Sequence, residues 1–316
     1  MQAIATYILR GPLQAIFLTT LSSALSLILP PLAHFSGACV ALVTLRKGIK
    51  DGIFVLVISG IILGCVGMVS SVNSLMVKVF LLAMILVWWL PVGLTAAVLR
   101  YTRSLGLAVL FLGSLSLLTM SGFYLVVGDV PAWWREVLPA MLNTMYKAAN
   151  FGMTEQQLDQ QLVNMSVVMT GFMFTAVVYL TMINLFIARW MQAMLFNPGG
   201  FRSEFHALKL DRRLGIFLVI IGAVSMFTSG NLANYALNAL ILIAALYSLQ
   251  GLAIVYAVVA ALGAHIGWLI ALYILMFFAL PYVMLILSCT ALADNVIDIR
   301  ARVKKRDSSS GHGPDE

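Results

Sequence analysis

The sequence predicts an all-α protein, a polytopic transmembrane helical bundle of about eight spans, with nine as the alternative count. Of its 316 residues, 62% are hydrophobic and 10% are charged, whereas a soluble domain is roughly half apolar and about a quarter charged. The mean hydropathy is +1.01, and a globule of this length has too little interior to hide so many apolar side chains. The composition therefore excludes soluble enzymes, disordered chains and nucleic-acid-binding proteins.

Apolar segments define the candidate spans, because a helix needs about 20 mainly apolar residues to cross a bilayer. Pro30 and Pro31 separate the first two segments, which form either a tight hairpin or one broken helix. The segments cover residues 13–29, 32–45, 52–71, 77–99, 105–127, 165–190, 214–229, 233–262 and 267–292.

The distribution of Lys and Arg divides the connections between these segments into two groups, one on each side of the membrane. Cytoplasmic connections of membrane proteins are enriched in Lys and Arg, so we expect the N-terminus and the basic connections to face the cytoplasm. The connection 128–164 then lies on the opposite side. Sixteen of the 19 basic residues belong to the cytoplasmic group, namely Arg10, Arg46, Lys47, Lys50, Arg100, Arg103, Arg189, Arg202, Lys209, Arg212, Arg213, Arg300, Arg302, Lys304, Lys305 and Arg306.

The charge pattern leaves a parity problem in the C-terminal third. A cytoplasmic connection at 213 and a cytoplasmic tail at 300 require an even number of crossings, but three apolar segments lie between them. One segment therefore does not cross simply. A break at Gly251 and Gly263, a break at Pro281, or a miscount around Pro30 and Pro31 would each resolve the parity.

We expect residues 1–299 to form a single transmembrane domain that includes an extracytoplasmic amphipathic loop at 128–164. Apolar residues recur at helical spacing from Pro131 to Met145, around the pair Trp133 and Trp134. Thr154 and Gln157 match a capping box, which predicts a helix running into the span at 165–190. The loop is either a lid over a cavity or a connector anchored by its tryptophans.

The basic cytoplasmic loop at 191–213 is the candidate docking site for a partner protein or an anionic head group. Its turn at 197–200 redirects the chain, and Phe201, Phe205 and Leu208 form an apolar face suited to the inner leaflet. The alternative role is a positive-inside anchor. The candidate docking residues are Arg189, Asn197, Gly199, Gly200, Arg202, Glu204, Arg212 and Arg213. The short basic and polar tail, 300–316, is expected to be disordered.

Polar residues at bilayer depth are the candidates for substrate binding, because each costs free energy unless it faces protein, water or ligand. The candidates are Asn184, Asn238, Gln250 and the adjacent Gly251. Interhelical hydrogen bonds between such amides, worth about 0.6 to 2 kcal/mol in membranes, are the competing explanation.

Catalytic and metal-binding motifs are not evident in the sequence. We therefore expect no enzyme activity, no catalytic residues, no cofactor and no metal site. The expected partners are the lipid bilayer and, as an open alternative, a separate energising or envelope protein. No nucleic acid is expected as a partner.

Four sequence blocks carry a resemblance to a known family. They are LVTLRKGIKDG at 42–52, ARWMQAMLFNPGGFRSEFHALKLDRR at 188–213, LQGLA at 249–253 and ADNVIDIRAR at 293–302. Together they resemble the YybS-like family of predicted bacterial membrane proteins, defined as domain of unknown function 2232. That family is loosely similar to the substrate-binding S components of energy-coupling-factor vitamin importers, and the resemblance implies a bacterial inner-membrane protein.

Three functional hypotheses follow. The first is a small-solute binding or transport component, indicated by the buried amides and the S-component resemblance. The second is a non-transporting scaffold that recruits partner proteins through the basic cytoplasmic loop. The third is a lipid-handling membrane enzyme that uses loop residues.

Overall fold

The described part of the chain is helical throughout, which confirms the predicted all-α class. The computed structural model describes residues 1–69, 79, 84–149 and 155–303, and at 67–69, 84–86, 141–149 and 155 it describes the backbone alone. These residues form twelve α-helices and one π-helical segment, and none of them lies in a strand.

Where the structure describes the chain between two helices, the connection is short. The π-helical segment, Met84–Trp89, continues directly into α5. The α-helices are α1 (Gln2–Arg10), α2 (Pro12–Leu25), α3 (Leu32–Arg46), α4 (Ile49–Val69), α5 (Leu90–Thr102), α6 (Leu105–Val127), α7 (Val130–Ala149), α8 (Glu155–Phe196), α9 (Gly200–His206), α10 (Arg212–Phe227), α11 (Gly230–Ala261) and α12 (Gly267–Ile297).

Five helices within the described residues are long and apolar enough to cross a bilayer: α4, α6, α8, α11 and α12. The apolar helices α2 and α3 are shorter, with 14 and 15 residues. These helices make a multi-pass membrane protein, and the count of eight or nine crossings stays a prediction.

Helix α8 confirms that the amphipathic loop leads directly into the span predicted at 165–190. It runs without interruption over 42 residues from Glu155 to Phe196. Thr154, the predicted capping residue, lies outside the described residues. Before it, α7 occupies the predicted amphipathic stretch, and its Trp134 donates a hydrogen bond from Nε1 to Thr170 Oγ1 of α8 at 2.7 Å. Val130, Trp134 and Leu138 form a buried cluster, so α7 is attached to protein.

The C-terminal region departs from a simple run of straight helices at Pro281. Helix α11 passes through Gly251 without a break and ends before Gly263, whose φ of 58° is left-handed. The alternative of a break at Gly251 was therefore wrong. Helix α12 is kinked at Ala279, where φ is −138° and ψ is 39°. The kink lies two residues before Pro281 because the proline ring removes a helical N–H and clashes with the preceding turn.

The connection after α2 decides between the two forms predicted around Pro30 and Pro31. Helices α2 and α3 are separate and pack against each other, which confirms the tight hairpin.

After the end of α12, Asp298 has a φ of 46° and turns the backbone so that Arg300 reaches the buried Asp294 at 2.9 Å. Residues 299–303 are helical, so the first residues of the predicted tail are ordered, and 304–316 lie outside the described residues.

The chain divides into two compact units, each with a central buried helix. Unit 1 comprises residues 1–112 and 177–208, and α3 is buried continuously from Ser36 to Leu45 as it packs against α2, α4 and α5. Unit 2 comprises residues 113–176 and 209–316. Its central helix is α11, which packs against α10 and α12.

Gly251 permits the close approach of α11 and α12 in unit 2. A Cβ atom at this position would lie 2.1 Å from the carbonyl oxygen of Leu287. The obstacle is backbone, which cannot move aside as a flexible side chain can. Small residues serve this purpose at helix contacts in membranes.

We predict that Gly251→Ala destabilises the protein by about 1–3 kcal/mol, because the added methyl group forces α11 away from α12. Thermal unfolding of the purified protein in detergent measures the change. Gly122→Ala is the matched control, since nothing lies within 4 Å of a Cβ at that position. An unfolding temperature unchanged in both variants would contradict this account of the helix contact.

Candidate functional site

A cavity of about 460 Å³ lies in unit 1 where α3 and α5 end. Four arginines and one glutamate line it, which gives its wall a formal charge of +3. The complete lining is Leu45, Arg46, Leu99, Arg100, Arg103, Arg189, Gln192 and Glu204.

The ends of two helices place three of these arginines. Arg46 is the last residue of α3, and the following Gly48, with φ of 122°, turns the chain into α4. Arg100 lies in the last turn of α5, and Arg103 caps that helix with a left-handed φ of 54°. Cations at helix C-termini are stabilised by the partial negative charge of the terminal carbonyl groups.

Arg100 and Arg46 are held by contacts that leave their charges unneutralised. Arg100 donates from Nη1 to the carbonyl oxygen of Leu45 at 2.6 Å. The guanidinium carbon of Arg46 lies 4.0 Å from the ring centroid of Phe196, a cation–π contact. Within the described residues, ion pairs involve only Arg189 and Arg300. The excess positive charge therefore comes from α3 and α5.

Arg189 forms the polar centre of the cavity wall. Its Nε donates to Glu204 Oε2 at 2.8 Å, and its Nη2 pairs with Oε1 of the same carboxylate. Its Nη1 donates to Gln192 Oε1 at 2.7 Å, one turn along α8. Gly199, with φ of 82°, returns the chain after α8 so that α9 brings Glu204 to Arg189.

This arrangement is suited to binding an anion. The planar guanidinium group presents paired N–H donors that match the oxygens of a carboxylate or a phosphate. A cavity that carries an excess of such groups attracts anionic ligands and orients them.

The predicted docking residues are only partly brought together. Arg189 and Glu204 line the cavity, while Asn197, Gly199 and Gly200 form the turn that positions α9. Arg202 is exposed and does not line the cavity, and Arg212 and Arg213 begin α10 in unit 2. A docking role for these residues stays a prediction.

The apolar face of the basic loop faces protein. The ring centroids of Phe201 and Phe205 lie 5.6 and 5.3 Å from that of Phe186 on α8, and Leu208 is buried. The expectation that this face lies on the inner leaflet is corrected accordingly. The aromatic contacts instead attach α9 to α8 beside the cavity.

Sequence reasoning used Arg46, Arg100 and Arg103 only as markers of topology and did not assign them to a site. Each lies in a different part of the chain from Arg189, so only folding shows that they share a wall. The available signal was that several basic connections predicted on the same side each follow a helix end.

The amides proposed as substrate contacts are divided between the two units. Asn184 belongs to unit 1, whereas Asn238 and Gln250 belong to unit 2. On α11 the last two are twelve residues apart, about 18 Å along the helix axis. Their role in substrate binding stays a prediction.

Asn184 is buried and paired with His34. Its Oδ1 lies 2.9 Å from His34 Nδ1, within hydrogen-bond distance. The Nδ2 group of Asn184 has no hydrogen-bond acceptor among the described residues. Gly37 makes room for this amide, because a Cβ there would lie 2.6 Å from Nδ2.

Asn238 and Gln250 are fully buried and join neighbouring segments of unit 2. Asn238 accepts from the Gly171 N–H and donates from Nδ2 to the Val167 carbonyl at 2.7 Å, both on α8. Gln250 accepts from the Leu210 N–H at 2.8 Å and donates to Asn295 Oδ1 at 3.1 Å. The contacts of Asn238 with α8 and of Gln250 with Asn295 on α12 are interhelical hydrogen bonds, the kind of contact in the competing explanation.

Among the described residues, no group of three or more His, Cys, Asp or Glu side chains is placed to hold a metal ion. His206 is the last residue of α9, the helix that also carries Glu204, and it lies outside the spanning helices. Burial lowers the pKa of His206 below 6.5, and the nearby charge of Arg202 lowers it further.

We predict that Asn238→Ala destabilises the protein by about 0.6–2 kcal/mol, because Gly171 and Val167 lose their side-chain partner. Thermal unfolding in detergent measures the loss. Asn231→Ala is the control, since Asn231 is exposed and makes a single hydrogen bond, to the Gly128 carbonyl. Equal unfolding temperatures for wild type and Asn238→Ala would contradict a stabilising role of the hydrogen bonds between Asn238 and α8.

We predict that Arg202→Gln raises the pKa of His206 but leaves it below 6.5, because burial is the larger cause. The lowered folded-state pKa means that His206 supports folding above the unfolded-state value, and that this support is lost as the pH falls below it. Histidine NMR titration of the detergent-solubilised protein measures the shift. A wild-type pKa at or above 6.5 would refute the assigned environment.

Comparison with known proteins places the chain in a family. Residues 17–295 match the family described as predicted membrane protein, DUF2232. No curated protein and no solved structure matches the chain. The match covers most of the sequence, including all the residues that line the cavity, and it agrees with the apolar helices. The chain belongs to the DUF2232 family of predicted membrane proteins.

Proposed function

We propose that this protein is a membrane-embedded binding component for a small solute that carries an anionic group. The observation that carries the proposal is the arginine cavity, the cavity of unit 1 lined by Arg46, Arg100, Arg103, Arg189 and Glu204. Its volume of about 460 Å³ lies within the range of about 300–1,000 Å³ that is usual for small-molecule sites.

Charge argues for an anionic solute. Three arginines of the cavity wall have no carboxylate partner within the described residues. Like charges this close repel one another, and a bound anion relieves that repulsion while it accepts their hydrogen bonds. A neutral solute would leave the repulsion in place.

The positive-inside rule gives the cavity an orientation. Arg46, Arg100 and Arg189 border connections that we assign to the cytoplasm, so the arginine cavity opens toward the cytoplasmic side of a bacterial inner membrane. The solute reaches it from the cytoplasm or from the inner leaflet. A binding component of this kind acts in transport together with a separate energising protein, as the resemblance to S components implies.

Partner recruitment through the basic loop is the alternative function. Arg202, Arg212 and Arg213 are exposed and lie outside the arginine cavity. Exposed cations of this kind attract acidic proteins and anionic lipids. The two functions therefore depend on different arginines, and one pair of variants separates them.

We predict that the purified full-length protein binds inorganic phosphate and that Arg103→Gln weakens binding about tenfold, the effect of losing one charge-assisted hydrogen bond. Isothermal titration calorimetry in detergent micelles measures the affinity. Arg103 is the informative position because it lines the cavity and is exposed, so its loss disturbs little packing.

Arg202→Gln is the matched control, because it removes the same charge from α9 outside the cavity. Unchanged binding in this variant supports the arginine cavity. Absence of phosphate binding in the wild type, or an equal loss in both variants, would overturn the proposed function.

A further inference from the structure

Glu204 occupies the wall of the arginine cavity as the partner of Arg189. We infer that Glu204 is a built-in competitor of the anionic ligand, and that the ligand able to displace it is a phosphate group carrying two negative charges. This inference rests on the proposed function and names the substrate class of the same site.

The Arg189–Glu204 pair has the geometry of a ligand contact. Both carboxylate oxygens are engaged, Oε2 with Nε at 2.8 Å and Oε1 with Nη2. Such a paired contact is the arrangement in which arginine binds a carboxylate or phosphate ligand. An anion that takes this place meets donors that are already aligned.

Glu204 is the member of the pair that a ligand can displace, because its carboxylate can move away from Arg189. Its side chain is 34% exposed, whereas that of Arg189 is 16% exposed. Arg189 also retains its hydrogen bond from Nη1 to Gln192 Oε1, at 2.7 Å, when the carboxylate departs. Rotation of the Glu204 side chain toward solvent is sufficient, so α9 stays attached through Phe205 and Phe186.

Competition with Glu204 selects against simple carboxylates. A monocarboxylate offers Arg189 the same charge and the same two oxygens as Glu204, but it must bind from solution. Glu204 is held beside Arg189 by a short stretch of chain, and tethered groups of this kind act at an effective concentration of the order of millimolar. A ligand that prevails needs additional contacts.

A phosphate monoester supplies them. It carries about −1.5 to −2 charges at pH 7 and three acceptor oxygens. After it replaces Glu204 at Arg189, its remaining oxygens accept hydrogen bonds from Arg46, Arg100 or Arg103 on the same wall. Its second charge offsets the excess positive charge that a monocarboxylate leaves.

The test is Glu204→Gln, which keeps the side-chain shape and removes the competing charge. In nanodiscs of phosphatidylcholine alone, we expect this variant to bind inorganic phosphate about fivefold more tightly than wild type by calorimetry, the upper order of effect of one solvent-accessible ion pair. We also expect wild type to prefer phosphate over acetate and the variant to show a smaller preference. Glu136→Gln, an identical change at an exposed position of α7, should behave as wild type.

Two sources of the phosphate group are separated by a second arm. When the wild-type nanodiscs contain phosphatidic acid, a weaker apparent affinity for inorganic phosphate identifies a lipid head group that reaches the arginine cavity. An unchanged affinity identifies a soluble phosphate as the ligand. Either result supports the phosphate class.

The outcomes that overturn the inference are distinct from those that overturn the proposed function. If wild type and Glu204→Gln bind phosphate with equal affinity, or wild type binds acetate as tightly as phosphate, Glu204 is not a competitor and the inference fails alone. If neither protein binds phosphate or acetate, the proposed function fails as well.

Discussion

The structure depends on the requirement that every backbone N–H and C=O group be satisfied within the chain, because hydrocarbon offers no hydrogen-bond partner. Helices meet that requirement within one segment, and the described residues form almost nothing else. The rule also explains the exceptions. The chain leaves helical geometry at Ala279, where Pro281 removes an N–H, and at glycines such as Gly48 and Gly199, which lie between helices.

Once helices are obligatory, their packing depends on small residues and on buried amides. Gly251 brings the backbone of α11 against α12, and Gly171 brings α8 against Asn238. The amides of Asn238 and Gln250 bind backbone groups of neighbouring segments, so their own polarity is satisfied. In a bilayer, association has no hydrophobic driving force between helices, and such contacts replace it.

Charge follows a different rule, because cations concentrate at helix ends where water and phosphates are available. In unit 1 the ends of α3 and α5 meet Arg189 of α8, so that three separate parts of the chain share one cavity. A single carboxylate, Glu204, offsets part of that charge. We propose that this wall attracts anions and that Glu204 limits which of them bind.

The sequence by itself determined the membrane class, the apolar helix at 105–127, and the helix that runs into the segment 165–190, whereas it left the hairpin at Pro30 and Pro31 as one of two alternatives. Hydropathy and the effect of proline on the backbone are properties of a short segment, so they can be recognised in the sequence without the tertiary structure. Only the tertiary structure decided that Gly251 lies in an unbroken helix, that Phe205 packs on Phe186, and that Arg46, Arg100 and Arg103 line one cavity with Glu204. These features depend on which distant segments become neighbours, and hydrophobic periodicity does not encode that choice.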